Sequence, residues 1–265
     1  MGKKRADILL FEKGLVDSRE KGKRVIMEGS VFIGTRRIDK PGDYIDENEE
    51  IIVKSNPLIY VGRGGLKLEK AIGIFNLNLD KLIAMDIGAS TGGFTDCMLR
   101  AGAVKVYAVD VGYNQLDWKL RSDPRVVVME KTNIRNVKKE DIGETLDFIS
   151  IDVSFISLSL VLPIAKSLIS EKGEIVALIK PQFEAGRAKV GKKGIVRDKG
   201  THFEVVKNVV DFSKEIGLTS NSLTYSPVTG ATGNIEFLVH FKNEGTSIGD
   251  DFILDVIEDA HNTLK

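Results

Sequence analysis

The apolar positions change their period partway along the chain, and the change separates two kinds of structure. Near the start, Ile8, Leu9, Leu10 and Phe11 share one side of a short helix predicted over 5–14, which stops at Gly14. A second helix is predicted over 18–29, with Ser18 as N-cap, Glu20 in its first turn and Gly29 closing it. Residues 31–33 then read as a strand, 34–37 as a turn, and 50–53 as a last strand after Pro41-Gly42. Helices followed by small strands make residues 1–54 a small α+β domain, with a linker at 55–62 that begins at Ser55-Asn56-Pro57.

From residue 82 onward, apolar strand-like runs alternate with helical ones. Strands are predicted at 82–87, 104–109, 126–129, 147–153, 174–179, 218–225 and 235–241, and helices at 93–101, 157–169 and 201–216. Such alternation predicts an α/β fold with a doubly wound, largely parallel sheet covered by helices on both faces. In that architecture a ligand binds beyond the carboxyl ends of the strands, near the reversal in strand order. A catalytic domain is therefore expected over 63–243, with a loop and an amphipathic C-terminal helix over 244–265.

Composition adds room for a core and removes several classes. Hydrophobic residues are 42% of the 265 and charged ones 29%, so a packed interior is within reach and disorder is disfavoured. Lys+Arg and Asp+Glu both number 38, so total charge does not announce a nucleic-acid partner. Its distribution is more informative: basic residues dominate from Lys3 to Arg37, acidic ones from 39 to 50 and again at the C-terminus. Cys97 is the only cysteine, which excludes an intrachain disulfide and a cysteine zinc site, and no metal is expected. No run approaches the roughly 18 apolar residues of a membrane span, and the first apolar stretch is too short for a signal peptide. The expectation is a cytoplasmic protein with no membrane partner, and nothing in the pattern implies an oligomeric state.

Candidate chemistry begins at Asp86-Ile87-Gly88-Ala89-Ser90-Thr91-Gly92-Gly93, which follows a predicted strand and opens a helix. Glycines at such a corner let a ligand approach the backbone, and Asp110 ends the next strand where a ribose-binding acid is expected. The spacing is not the dinucleotide G-x-G-x-x-G. An acid before the first glycine suits a cationic sulfonium cofactor better than a pyrophosphate, which disfavours an NAD-linked oxidoreductase. Four further segments stand out: Gly62-Arg63-Gly64-Gly65-Leu66-Lys67-Leu68, Ile151-Asp152-Val153-Ser154-Phe155, Leu178-Ile179-Lys180-Pro181-Gln182-Phe183, and Gly233-Asn234-Ile235-Glu236-Phe237. Asp152 and Lys180 fall at strand carboxyl ends, where a lysine loses solvation and becomes able to share a proton.

Those segments, in that order, resemble the FtsJ-like ribose 2′-O-methyltransferases, and more closely the TlyA (hemolysin A) family of rRNA methyltransferases. Residues 1–54 look like that family's alpha-L (S4-like) RNA-binding domain, and the likeness runs from about residue 3 to 242. The resemblance implies a Rossmann-like sheet of seven strands, the last antiparallel, with S-adenosylmethionine as cofactor. It implies a catalytic set of Lys67, Asp152, Lys180 and Glu236. It also implies a cofactor site at Asp86, Gly88, Ala89, Ser90, Thr91, Gly92, Gly93, Asp110 and Asp152. One departure is that many members of the wider superfamily carry proline where this chain has Thr91. The substrate implied is a cytidine ribose in ribosomal RNA, presented on the RNA or a ribosomal subunit. Rival readings are a non-enzymatic ribosome-assembly factor and a membrane-active hemolysin.

For RNA contacts, the candidates are Lys4, Arg5, Arg19, Lys21, Lys23, Arg24, Arg36 and Arg37 in the small domain and Arg63 at the start of the large one. Arg187, Lys189, Lys192 and Lys193 lie in a glycine-threaded stretch expected to be a flexible loop leaving the active-site edge. His202 and His240 are expected on a helix surface and an edge strand. Tyr113 and Trp118 are expected either in the core or in an adenine pocket, and Cys97 in ordinary packing.

Overall fold

The computed structural model describes residues 2–27, 29–34, 36–53, 60–191, 194–230 and 232–264, with the side chains of Arg24 and Arg187 outside that description. The chain divides into two compact units, Met1–Ile59 and Tyr60–Lys265.

The first unit contains β1 (Lys3–Arg5), α1 (Ala6–Glu12), α2 (Arg19–Met27), β2 (Val31–Ile33), β3 (Arg36–Arg37), β4 (Tyr44–Asp46) and β5 (Ile51–Val53). β2 is the middle of an antiparallel sheet ordered β3-β2-β5, and β1 pairs antiparallel with β4. Ala6, Leu9, Leu10, Ile26, Val31, Ile45 and Ile51 close its core. Residues 36 and 37, expected in a turn, are instead strand β3; Gly34, at φ 58°, stands just before them. β1 and β4 have only three residues each, too few for an alternating pattern to show in sequence.

The second unit begins with α3 (Gly64–Ile74), β6 (Ile83–Ile87), α4 (Gly93–Arg100), β7 (Lys105–Val109), α5 (Trp118–Arg121), β8 (Val126–Met129), α6 (Lys139–Ile142) and β9 (Leu146–Ile151). It continues with α7 (Leu162–Leu168), β10 (Ile169–Ile179), α8 (Pro181–Glu184), α9 (Lys199–Glu215), β11 (Thr219–Tyr225), β12 (Phe237–Lys242) and α10 (Asp250–Thr263). The sheet order is β11-β12-β10-β9-β6-β7-β8, with β12 antiparallel to both its neighbours and the other pairings parallel. Strand order reverses between β6 and β9, so a cleft opens beyond their carboxyl ends.

Residues alternate between the two faces of the central strands. Met85, Ile149 and Ile175 join Val206 and Ile253 on one side, while Ala84, Phe148 and Val176 join Leu68, Phe94 and Met98 on the other. Three elements differ from expectation. The single helix expected over 157–169 is a 3₁₀ turn at 158–160 followed by α7, whose first turn holds Pro163. α3 was not expected, because its glycines at 64, 65 and 73 mask the helical period. Residues 60–62, expected in the linker, pack in this unit: Tyr60 is buried and covers Gly65, and Val61 N–H donates to Asp96 Oδ2 at 2.9 Å.

Candidate active site

Four charged side chains are delivered to one rim of the sheet by four different elements. Asp152 follows β9 and Lys180 follows β10, both at carboxyl ends. Glu236 immediately precedes β12, whose reversed direction brings its start to the same rim. Lys67 comes from the first turns of α3. Lys180 Nζ lies 2.5 Å from Asp152 Oδ1 and donates to Ser154 Oγ at 2.9 Å, and Lys67 Nζ donates to Glu236 Oε2 at 2.6 Å. Gln182 Nε2 reaches Glu236 Oε1 at 3.5 Å, so the second pair is also tied to the β10 end.

Each pair has little water around it, and the charges decide its protonation. Burial by itself would raise Asp152, but the ammonium groups of Lys67 and Lys180 outweigh it and hold the carboxyl below its usual value. Burial by itself would lower Lys67, yet Asp152 and Glu236 more than offset that and hold the ammonium above its usual value. The site is therefore an alternation of two cations and two anions. Buried ion pairs add little to stability relative to apolar packing, so such a cluster is better explained by chemistry than by folding.

These groups line a cavity of about 570 Å³ shared with Gly88, Ala89, Ser90, Thr91, Gly93, Phe94 and Arg63. Its size lies within the range of small-molecule sites. Gly88 has φ 89°, and a Cβ there would stand 2.5 Å from the Asp152 carbonyl oxygen, so glycine is what lets the β6 and β9 ends meet. Gly92, at φ 96°, begins α4, and a Cβ there would collide with Leu116 and Leu120. Asp110 braces the loop, accepting from Ser90 N–H at 2.8 Å and Gly112 N–H at 2.7 Å. It does not itself line the cavity. Asp86 is placed differently: it is fully buried off the cavity wall, where it accepts from Thr95 Oγ1 at 2.7 Å and Ser150 Oγ at 3.3 Å. Loop 88–91, Gly93 and Asp152 are the cavity residues that could hold a nucleoside sulfonium, through backbone approach and an anionic neighbour.

At the mouth, Phe155 is 89% exposed with φ 63°, and its ring meets that of Phe183 at 4.8 Å between centroids. Neither the exposure nor the left-handed backbone carries a sequence signal in a non-glycine residue. Glu130 was missed as well. It accepts from Arg121 Nη2 at 2.7 Å and from the amides of Asn114, Gln115 and Leu116, and Arg121 pulls its carboxyl down to about 2. Asn234 is fully buried, taking Val196 N–H on Oδ1 and donating to Gly194 O and Thr232 Oγ1, each at 2.9 Å. The stretch expected as a flexible loop is thus fastened at 194 and 196 to the turn that carries Glu236.

The candidate RNA contacts are spread over both units. Arg63 lines the cavity. Lys189 sits on a 3₁₀ turn, paired with Glu204, and Lys192 and Lys193 lie outside the described residues. In the first unit, Arg5 and Arg19 both bind the fully buried Asp7 while keeping 38% and 45% of their side chains exposed. Lys4 pairs with Glu12, Lys21 with Asp17, Arg36 with Glu49 and Arg37 with Asp39, and Lys23 is half-buried on α2. Exposed pairs of this kind contribute little to stability.

Other expectations are corrected. His202 is fully buried, its Nδ1 2.9 Å from His261 Nε2, and burial pulls it down to about 4. His240 is buried on an interior strand and bonded to Glu174 at 2.7 Å. Tyr113 and Trp118 are 68% and 76% exposed, so neither packs in the core. Cys97 packs in the core as expected, and burial pushes its thiol up to about 12.

A doubly wound sheet with a glycine corner and a charged tetrad at its reversal point defines a methyltransferase fold and site. Residues 60–243 match the FtsJ-like methyltransferase family and residues 4–51 the S4 domain, and the chain belongs to the FtsJ-like methyltransferases. It is an S-adenosylmethionine-dependent methyltransferase carrying an S4 domain ahead of its catalytic unit. Among its relatives, YqxC of Bacillus subtilis, provisionally named an rRNA methyltransferase, is 52% identical over 99% of this chain and 96% of its own. The 16S/23S rRNA (cytidine-2′-O)-methyltransferase TlyA of Mycobacterium tuberculosis is 39% identical over 91% of this chain and 90% of its own. A solved structure from Streptococcus thermophilus, provisionally named a hemolysin, is 47% identical with TM-score 0.79 and covers 99% of this chain and 97% of its own.

Proposed function

We propose that this chain methylates the ribose 2′-hydroxyl of a cytidine in ribosomal RNA. The observation that carries the reading is the meeting of the Lys180–Asp152 and Lys67–Glu236 pairs in the cavity that the glycine corner also lines. S-adenosylmethionine, when bound, supplies a methyl group already activated on sulfur. The chain's own task is to align the hydroxyl and ease its proton away. Alignment is worth an effective molarity on the order of 10⁵ M in favourable cases. Lys180 Nζ, fixed between Asp152 and Ser154, orients the hydroxyl oxygen through an ammonium hydrogen bond, and the Asp152 carboxylate is the member of the pair that takes up its proton. Lys67 holds Asp152 ionised, and Glu236 holds Lys67 charged and in register. Phe155 offers an exposed ring on which the base of the target nucleotide stacks once unpaired.

The S4 domain and the cations of the first unit support RNA as the substrate, and the names of the relatives support ribosomal RNA and cytidine. Replacing Lys180 with Ala tests the reading. Methyl transfer to rRNA should fall by about 10²- to 10⁴-fold, while calorimetry finds S-adenosylmethionine bound as before. Undiminished transfer by the variant contradicts it. A non-enzymatic assembly role predicts instead that neither protein transfers methyl.

A further inference from the structure

The motif at the end of β10 runs Lys180-Pro181-Gln182-Phe183-Glu184, and its last residue has no part in the tetrad. Glu184 Oε1 accepts from Leu158 N–H at 2.8 Å and Oε2 from Ser157 Oγ at 2.7 Å. Ser157 in turn contacts Ser159 Oγ at 2.9 Å and caps the 158–160 turn. Two strand-end segments are thereby joined at three points: Lys180 to Asp152, Phe183 to Phe155, and Glu184 to Ser157 and Leu158.

The segment from 152 to 158 needs such a fastening. Phe155 holds φ 63°, a left-handed conformation that is unfavourable for a non-glycine residue and persists only where its surroundings impose it. A cavity of about 210 Å³, lined by Ser157, Ser159, Glu184 and Asn208 among others, lies beside this junction and leaves the segment room to relax. The Glu184 carboxylate is partly withdrawn from water, which raises it above its usual value, so its position has a cost that its hydrogen bonds must offset.

We propose that Glu184 is a positioning residue for methyl transfer, pinning the 152–158 segment so that Asp152, Ser154 and Phe155 meet the target nucleotide in one fixed arrangement. The role rests on the reading under Proposed function. It differs from simple helix capping, because a cap supports stability alone, whereas a pin sets the rate of a fully folded, saturated enzyme.

The test is single-turnover methylation of rRNA at saturating S-adenosylmethionine and RNA, using the full chain. Glu184→Ala should lower the rate constant by roughly 10- to 100-fold, the scale of an ångström-sized misplacement, while the cofactor Kd stays within about twofold. Glu184→Gln, whose amide can still take Leu158 N–H and meet Ser157 Oγ, should restore the rate to within about threefold. In a Phe155→Ala background, Glu184→Ala should add less than about a twofold loss, because the two act as one unit. Should Glu184→Ala fail to fold, Ser157→Ala removes one of the same bonds and should slow transfer about threefold or more. A wild-type rate constant in folded Glu184→Ala or in Ser157→Ala overturns the proposal, as do losses that multiply in the double variant. If the wild-type chain itself transfers no methyl to RNA, it is the underlying reading that fails.

Discussion

Asp86 shows how far one residue's role depends on its depth. Its carboxyl is fully buried, and that burial, reinforced by the Asp152 charge, pushes it up to about 7 against the opposing bonds from Thr95 and Ser150. The folded state therefore holds a proton that the unfolded chain releases near pH 4, so stability falls as pH rises between those values and is level above about 7. Asp86→Asn removes that loss. It should be more stable than the wild type at pH 8 by at least ~1 kcal/mol, with the gap closing toward pH 4 in denaturant titrations. Equal stabilities at pH 8 contradict the assignment. The sequence places an acid at this corner, but whether it faces ligand or core depends on Thr95 and Ser150 crossing to meet it. The tetrad was legible because its members sit in motifs, three of them at strand ends and Lys67 behind a glycine pair that opens α3. Phe155, Asn234 and Glu184 were not, because a positive φ, a buried amide and a cross-loop carboxylate acquire meaning only from tertiary neighbours.

Among elements, the segment between β7 and β8 supports the cofactor loop from behind. Glu130 gathers three consecutive amides and Arg121, Asp117 N–H donates to Thr91 O at 3.1 Å, and Leu116 and Leu120 fill the space under Gly92. Glu130→Ala releases that segment and should weaken S-adenosylmethionine binding about tenfold or more in calorimetry, since even one charge-assisted bond is worth about 1.5 kcal/mol. An unchanged Kd contradicts this support. The seven strands of this unit were readable because both faces of the central ones are buried and each carries an apolar run. β1, β3 and β4 were not, since two or three residues carry no period.

At the scale of the whole molecule, a net charge of zero coexists with a first unit in which Arg36 and Arg37 form an exposed strand whose side chains pair with the surface carboxylates Glu49 and Asp39. Phosphates of the proposed RNA substrate would compete with Glu49 and Asp39 for these cations. The double variant Arg36→Glu, Arg37→Glu should weaken rRNA binding about tenfold or more at low salt, reduce its salt dependence, and leave cofactor affinity unchanged. Unaltered binding would remove this face from the substrate path. Among the described residues no helix is long and apolar enough to cross a membrane.

The central claim concerns the atom that receives the methyl group. Incubating the full-length chain with methyl-labelled S-adenosylmethionine and unmodified rRNA, followed by alkaline hydrolysis, reads that atom directly. A 2′-O-methyl group blocks attack on the neighbouring phosphate. The account predicts label in an alkali-resistant dinucleotide whose 5′ residue is cytidine, formed about 10²- to 10⁴-fold more slowly by Lys180→Ala. Label recovered in alkali-released mononucleotides, as base methylation would give, contradicts it.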